Sequence, residues 1–161
     1  MNIEQQIELA FEPRRRPELV VDPAMPECCE RSDASWFAGK DRHDVAWLDF
    51  GTHGDAVFGF SPEAFKYFLP RVMQLAVASP EEWFAAADAI LQVLDRGLTP
   101  TPLDEFIATR FGGLASSEFA AILEWLLALD GLPQYGDDER LLRCIRTIDQ
   151  LEDEMILGKS R

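Results

Sequence analysis

Apolar positions recur along this chain every three to four residues, the period of amphipathic helices rather than of strands. Ile3, Ile7, Ala10 and Phe11 share one face of a first short helix, Glu4, Glu8 and Glu12 cover the other, and Pro13 ends it. At Ser61-Pro62-Glu63 the chain supplies an N-cap, a proline at the first helical position and an acid in the first turn. Phe65, Phe68, Leu69, Val72, Met73 and Ala76 follow at helical spacing. Pro70 interrupts the pattern and removes a backbone donor, so a kinked helix or two abutting pieces is expected. Ser79-Pro80-Glu81-Glu82 has the form of a capping box, with Trp83, Ala87, Ile90, Leu91 and Leu94 as the buried face and Gly97 as the stop.

The same grammar continues toward the C-terminus. Thr101-Pro102-Leu103-Asp104 opens a helix carrying Phe106, Ile107 and Phe111 up to Gly112-Gly113. Ser116-Ser117-Glu118 opens the next, with Phe119, Ile122, Leu123, Leu126 and Leu127 inward. Gly131 suits a left-handed C-terminal position, from which Leu132 folds back on Leu127. Asp137 caps a last long helix whose inward positions are Leu141, Cys144 or Ile145, Ile148 and Met155, and residues 158–161 are expected to fray.

Residues 12–60 break this regularity. Pro17, Pro23 and Pro26 exclude a long helix over 17–35, although Leu19-Val20-Val21 fits a short extended piece. Asp41 is placed to cap a short helix with Val45 and Leu48 on one side and Trp47 near them. Gly51, Gly54 and Gly59 then fit either a glycine-rich connection or a small strand pair. The expectation is an all-α, or nearly all-α, compact bundle of five to seven helices in a single domain, 1–161, with an irregular segment near residues 12–60. A chain of 161 residues has the size of one domain and buries enough surface to fold without a staple.

Charge changes the functional picture. The 29 acidic and 15 basic residues leave a net charge of −14. Such a field repels nucleic acid and anionic membranes and speeds association with cationic partners. Residues 79–161 carry more of the excess than residues 1–78. Asp149, Glu152, Asp153 and Glu154 crowd the C-terminal half of the last helix, where each carboxylate opposes the macrodipole by about a few tenths of a kcal/mol. That local conflict marks these four as the candidate partner-binding residues, and the partner expected is a basic protein. Arg14-Arg15-Arg16 is read as neutralising nearby carboxylates or a helix dipole, because the rest of the chain does not support a nucleic-acid contact.

The search for chemistry returns little. Cys28, Cys29 and Cys144 are odd in number and two are adjacent, which is not a disulfide framework. The opening Met1–Gln6 is polar and acidic, unlike a signal peptide, and the longest apolar run, 120–129, is broken by Glu124; a cytoplasmic protein is expected. Cys28, Cys29, His43 and His53 have zinc-ligand chemistry, but neighbouring cysteines point apart and no C-x-x-C or H-x-x-x-H occurs. No G-x-S-x-G elbow or phosphate-binding glycine motif is present, and Asp49-Phe50-Gly51 stands without the other kinase motifs. The pairs Asp41/Asp44 and Glu81/Glu82 sit where helix starts favour carboxylates. No catalytic residue, cofactor or metal site is implied.

The stretch Ser61-Pro-Glu-Ala-Phe-Lys-Tyr-Phe-Leu-Pro-Arg-Val-Met73 resembles the PEAF-x-YFLP-x-x-M signature of an uncharacterised bacterial domain family. Weaker matches are the first helix, ending in Ala10-Phe11 before prolines, and Leu114–Leu126. The resemblance implies a compact helical domain with no established activity. In size, charge and composition the chain is similar to immunity proteins that neutralise bacterial toxins. The leading expectation is therefore a binding protein of this kind, and the alternatives are a small enzyme or a structural subunit of a larger assembly.

Overall fold

The computed structural model describes residues 1–97 and 102–159. Within them nine α-helices follow one another. They are α1 (Ile3–Phe11), α2 (Cys29–Ser35), α3 (Trp47–Thr52), α4 (Ala56–Gly59), α5 (Pro62–Ala78), α6 (Ala85–Leu94), α7 (Glu105–Phe111), α8 (Ser116–Leu129) and α9 (Asp138–Lys159), with 3-10 turns at Arg42–Asp44 and Pro133–Tyr135. No strand occurs among the described residues, where Val21 and Phe60 form a lone antiparallel bridge. The fold is all-α. The helices beyond the expected five to seven include short ones within 12–60, where α2, α3 and α4 lie in the segment expected to be irregular apart from one short helix or a strand pair.

α5 packs against α1, α6, α7 and α8, while α9 packs on α6 and α8, α3 and α4 on α6, and α2 on α4. The Ser61 hydroxyl accepts the Ala64 N–H at 3.1 Å and donates to the Leu19 carbonyl at 2.6 Å. One side chain thereby caps the helix and ties down the extended 19–22 segment, which also pairs through Ser61 N–H to Val20 and Asp22 N–H to Gly59. The apolar stripe expected of α5 is buried throughout, and Ala64, Tyr67 and Pro70 are buried beside it. A helix this enclosed is stabilised mainly by packing, at about 1.5–3 kcal/mol for each large apolar side chain removed from water. It runs unbroken through Pro70.

Phe37, Phe50, Phe60, Phe84 and Phe68 of α5 form an aromatic cluster, with neighbouring ring centroids 5.0 to 5.8 Å apart. α2 reaches this cluster by lying directly on α4. At Gly59 a Cβ would stand 2.1 Å from the Glu30 carbonyl oxygen, so only glycine permits the approach. Arg14, just after α1, grips the start of α8 in a bidentate pair with Glu118, both contacts at 2.6 Å. Glu118 also accepts the Ala115 N–H at 2.6 Å, and it is only 3% exposed. Arg14 thus neutralises a carboxylate, as the arginine triplet was expected to do.

Several local expectations are corrected. α6 begins at Ala85, because the Ser79–Glu82 turn is claimed by the segment before α9: Gln134 donates to the Pro80 carbonyl and Tyr135 to that of Glu82. Phe84 takes the core position, stacked on Trp47 at 4.2 Å, and Trp83 is left 56% exposed. Asp41 caps only a 3-10 turn; Val45 is buried, whereas Leu48 is 74% exposed on α3. Leu127 is likewise exposed, and Trp125 and Leu129 fill the inward positions of α8. Gly131 does adopt a positive φ, 79°. Asp104 caps α7 by accepting the Ile107 N–H at 2.9 Å, while Thr101 lies outside the described residues, as do Ser160 and Arg161 at the end expected to fray. Among the described residues no single helix is long and apolar enough to cross a membrane.

Candidate functional site

α9 carries the four carboxylates marked by the sequence, and its first half is anchored to the core and to α6. Asp137 accepts the Arg140 N–H at 2.9 Å and starts the helix. Leu141, Cys144, Ile148 and Leu151 then face the core at three- and four-residue steps. A polar row beside them joins α9 to α6. Arg140 meets Asp88 at 2.7 Å, Arg143 meets Asp95 at 2.6 Å, and the Thr147 hydroxyl donates to the Leu94 carbonyl at 2.7 Å. The Cys144 thiol lies within this seam, and burial pushes its pKa up to about 12, which removes it as a nucleophile near neutral pH.

Two of the α9 arginines are therefore spent on α6. The next turns hold Asp149, Asp153 and Glu154, exposed, and Glu152, half-buried. Asp149, Glu152 and Asp153 stand at i, i+3 and i+4 and share a face. Glu154 lies across the helix, where it accepts from Gln150 at 3.1 Å. None of the four has an ion-pair partner among the described residues. The dipole argument is corrected, however. α9 runs on to Lys159, so Asp149, Glu152 and Asp153 occupy the helix interior, and the macrodipole acts chiefly in the last turn. What remains is three carboxylates without ion-pair partners among the described residues on one face of a long helix.

The zinc-like set is not brought together. His43 is held by Glu8 and Asp41, His53 stacks on Trp36 at 4.6 Å, and the Cys29 thiol donates to Glu30. Among the described residues no group of three or more histidine, cysteine or carboxylate side chains converges on a point where a metal ion would sit.

A second polar centre joins residues that no spacing in the sequence connects. Arg42, 3% exposed, donates to the Phe11 carbonyl at the end of α1 at 3.1 Å and to Glu8 at 2.9 Å. His43 bridges Glu8 at 2.9 Å and Asp41 at 2.7 Å, one carboxylate on each ring nitrogen. Its pKa is raised, first by the bond to Glu8 and then by that to Asp41. Partial burial pushes Glu8 upward, but hydrogen bonds from His43, Arg42 and Gln74 outweigh it and hold the carboxyl below its ordinary value. Asp41 is lowered by the backbone N–H and then the ring of His43. These residues line an open cleft of about 490 Å³ together with Arg14, Arg15 and Arg16. The shifts run in the directions that favour the charged forms of His43, Glu8 and Asp41.

Comparison with protein-family models, with curated proteins and with solved structures finds no match for this chain.

Proposed function

We propose that the protein sequesters a basic protein partner, acting as an immunity protein that neutralises a bacterial toxin by covering a basic active site with the acidic face of α9. One observation carries the reading: the first half of α9 spends Arg140 and Arg143 on α6, and the second half leaves Asp149, Glu152, Asp153 and Glu154 without ion-pair partners among the described residues. A net charge of −14 draws a cationic partner in from a distance, and the local acids orient it on arrival. We place the protein in the cytoplasm, where the three free cysteines stay reduced.

The test is a pull-down from the native host at low salt, with the bound protein identified as salt rises, followed by association kinetics. A basic protein whose on-rate falls steeply with ionic strength supports the reading. The absence of any basic partner, or an on-rate indifferent to salt, overturns it.

The enzyme alternative rests on the cleft at His43 and Tyr67. The bonds to Glu8 and Asp41 raise the pKa of its histidine, and among the described residues its lining contains no serine or cysteine nucleophile.

A further inference from the structure

α9 bears a second apolar stripe besides the one in the core. Leu142, Ile145, Asp149, Glu152 and Ile156 follow one another at steps of three, four, three and four residues, the spacing of a helix-docking seam. Leu142 is 46% and Ile156 52% exposed, Ile145 is partly buried, and the two acids occupy the middle of the row. Exposed leucine and isoleucine in register on a long surface helix cost solubility, and their heptad spacing matches a facing helix.

We propose that this stripe is the docking seam for an amphipathic helix of the partner, one that sets lysine or arginine opposite Asp149 and Glu152 and apolar side chains opposite Leu142, Ile145 and Ile156. The inference rests on the reading above, that the partner is basic and meets α9, and adds the shape of what it presents. Charge complementarity selects the occupant. Two carboxylates closed under an apolar interface are costly unless each meets a cation. A second copy of this chain fails the condition. Its own seam, laid parallel in register or antiparallel about Asp149, puts Asp149 against Asp149. Arg146, one turn before, is exposed beside the seam and forms no ion pair with the two acids among the described residues.

The experiment uses the full chain and synthetic helical peptides of about three heptads, with a stripe reading Leu-Leu-Lys-Lys-Leu-Leu. That order is the same in both directions and so serves either helix orientation. One control scrambles the same residues so that no stripe forms, and another puts glutamate in place of the two lysines. Fluorescence anisotropy should show the patterned peptide binding at least about tenfold tighter than the scrambled one of equal charge. Leu142→Ser and Ile156→Ser should each weaken it by about tenfold without lowering Tm, and Asp149→Asn with Glu152→Gln should abolish the preference for lysine over glutamate. Equal binding of patterned and scrambled peptides, or indifference to Leu142→Ser, overturns the seam while leaving charge-driven association intact. Indifference to the acid substitutions as well removes both readings. A dimer of the chain alone in sedimentation, dissolved by Leu142→Ser, assigns the seam to a second copy and also overturns the proposal.

Discussion

Phe68 and His43 mark two kinds of residue in this molecule. Phe68 is 1% exposed and touches three aromatic neighbours, stacked on Phe60 at 5.0 Å and edge-on to Phe37 and Tyr67. Phe68→Ala should cost about 3–5 kcal/mol in urea unfolding, through lost burial plus the cavity left behind. A loss under about 1 kcal/mol would mean that the cluster collapses to fill the space. The stripe containing Phe68 was visible in the sequence because helical period is local. His43 was not, since Glu8 lies 35 positions away and only the packing of α1 beside Asp41 brings the two together. With a folded-state pKa raised above the ordinary 6.5, His43 stabilises the fold fully below that pH, and the contribution is lost as pH rises through the raised value. Its partners Glu8 and Asp41, lowered from 4.5 and 3.8, lose theirs as pH falls through the lowered values. The stability difference between the protein and His43→Gln should therefore peak between the carboxylate range and pH 6.5 and shrink on either side. Stability curves for the two that stay parallel from below the carboxylate range to well above pH 6.5 would show that the bridge does not form.

Between elements, one glycine and one displaced helix start show how packing overrules local grammar. Gly59→Ala drives a Cβ into the Glu30 carbonyl and against Ala34, so α2 must lift off α4. Overpacking against backbone belongs at the upper end of the usual range, and a loss of about 3 kcal/mol with some loss of far-UV helical signal is expected. Unchanged stability would contradict the close approach. The start of α6 carries the converse lesson. Ser79-Pro80-Glu81-Glu82 has every local feature of a cap, yet Gln134 and Tyr135 take the carbonyls of that turn. Phe84 rather than Trp83 then enters the core, while Ala87, Ile90, Leu91 and Leu94 keep the buried positions their period assigned.

Across the whole molecule the dominant feature is excess negative charge, and its distribution decides what it does. Asp88 and Asp95, at α6, are matched by arginines of α9, while the outer turns of α9 keep four carboxylates without ion-pair partners among the described residues. Replacing Asp149, Glu152, Asp153 and Glu154 by their amides moves the net charge from −14 to −10. The substitution relieves like-charge pairs at i, i+3 and i+4, so the fold should stay intact and gain about a few tenths of a kcal/mol for each pair. Association with a basic partner should slow and its salt dependence should flatten, as stopped-flow kinetics across ionic strength would measure. If neither quantity changes, the acidity serves solubility alone.

The sequence by itself determined the helical class, the caps at Ser61 and Asp137, the buried stripe of α5 and the inward row of α9, because each depends on period and side-chain chemistry within a few residues. It also placed Asp149, Glu152, Asp153 and Glu154 together on one helix, though for a dipole reason that the length of α9 removes. Tertiary structure alone decided that Arg14 would meet Glu118 across 104 residues, that Arg42 would be buried between α1 and Tyr67, and that residues 12–60 would fold into short helices resting on α5 and α6. It also decided which arginines of α9 are consumed by α6 and which carboxylates remain. The physical reason is the same in each case. Helical period and capping act over single turns, whereas charge pairing and close packing depend on distances through space that chain separation does not encode.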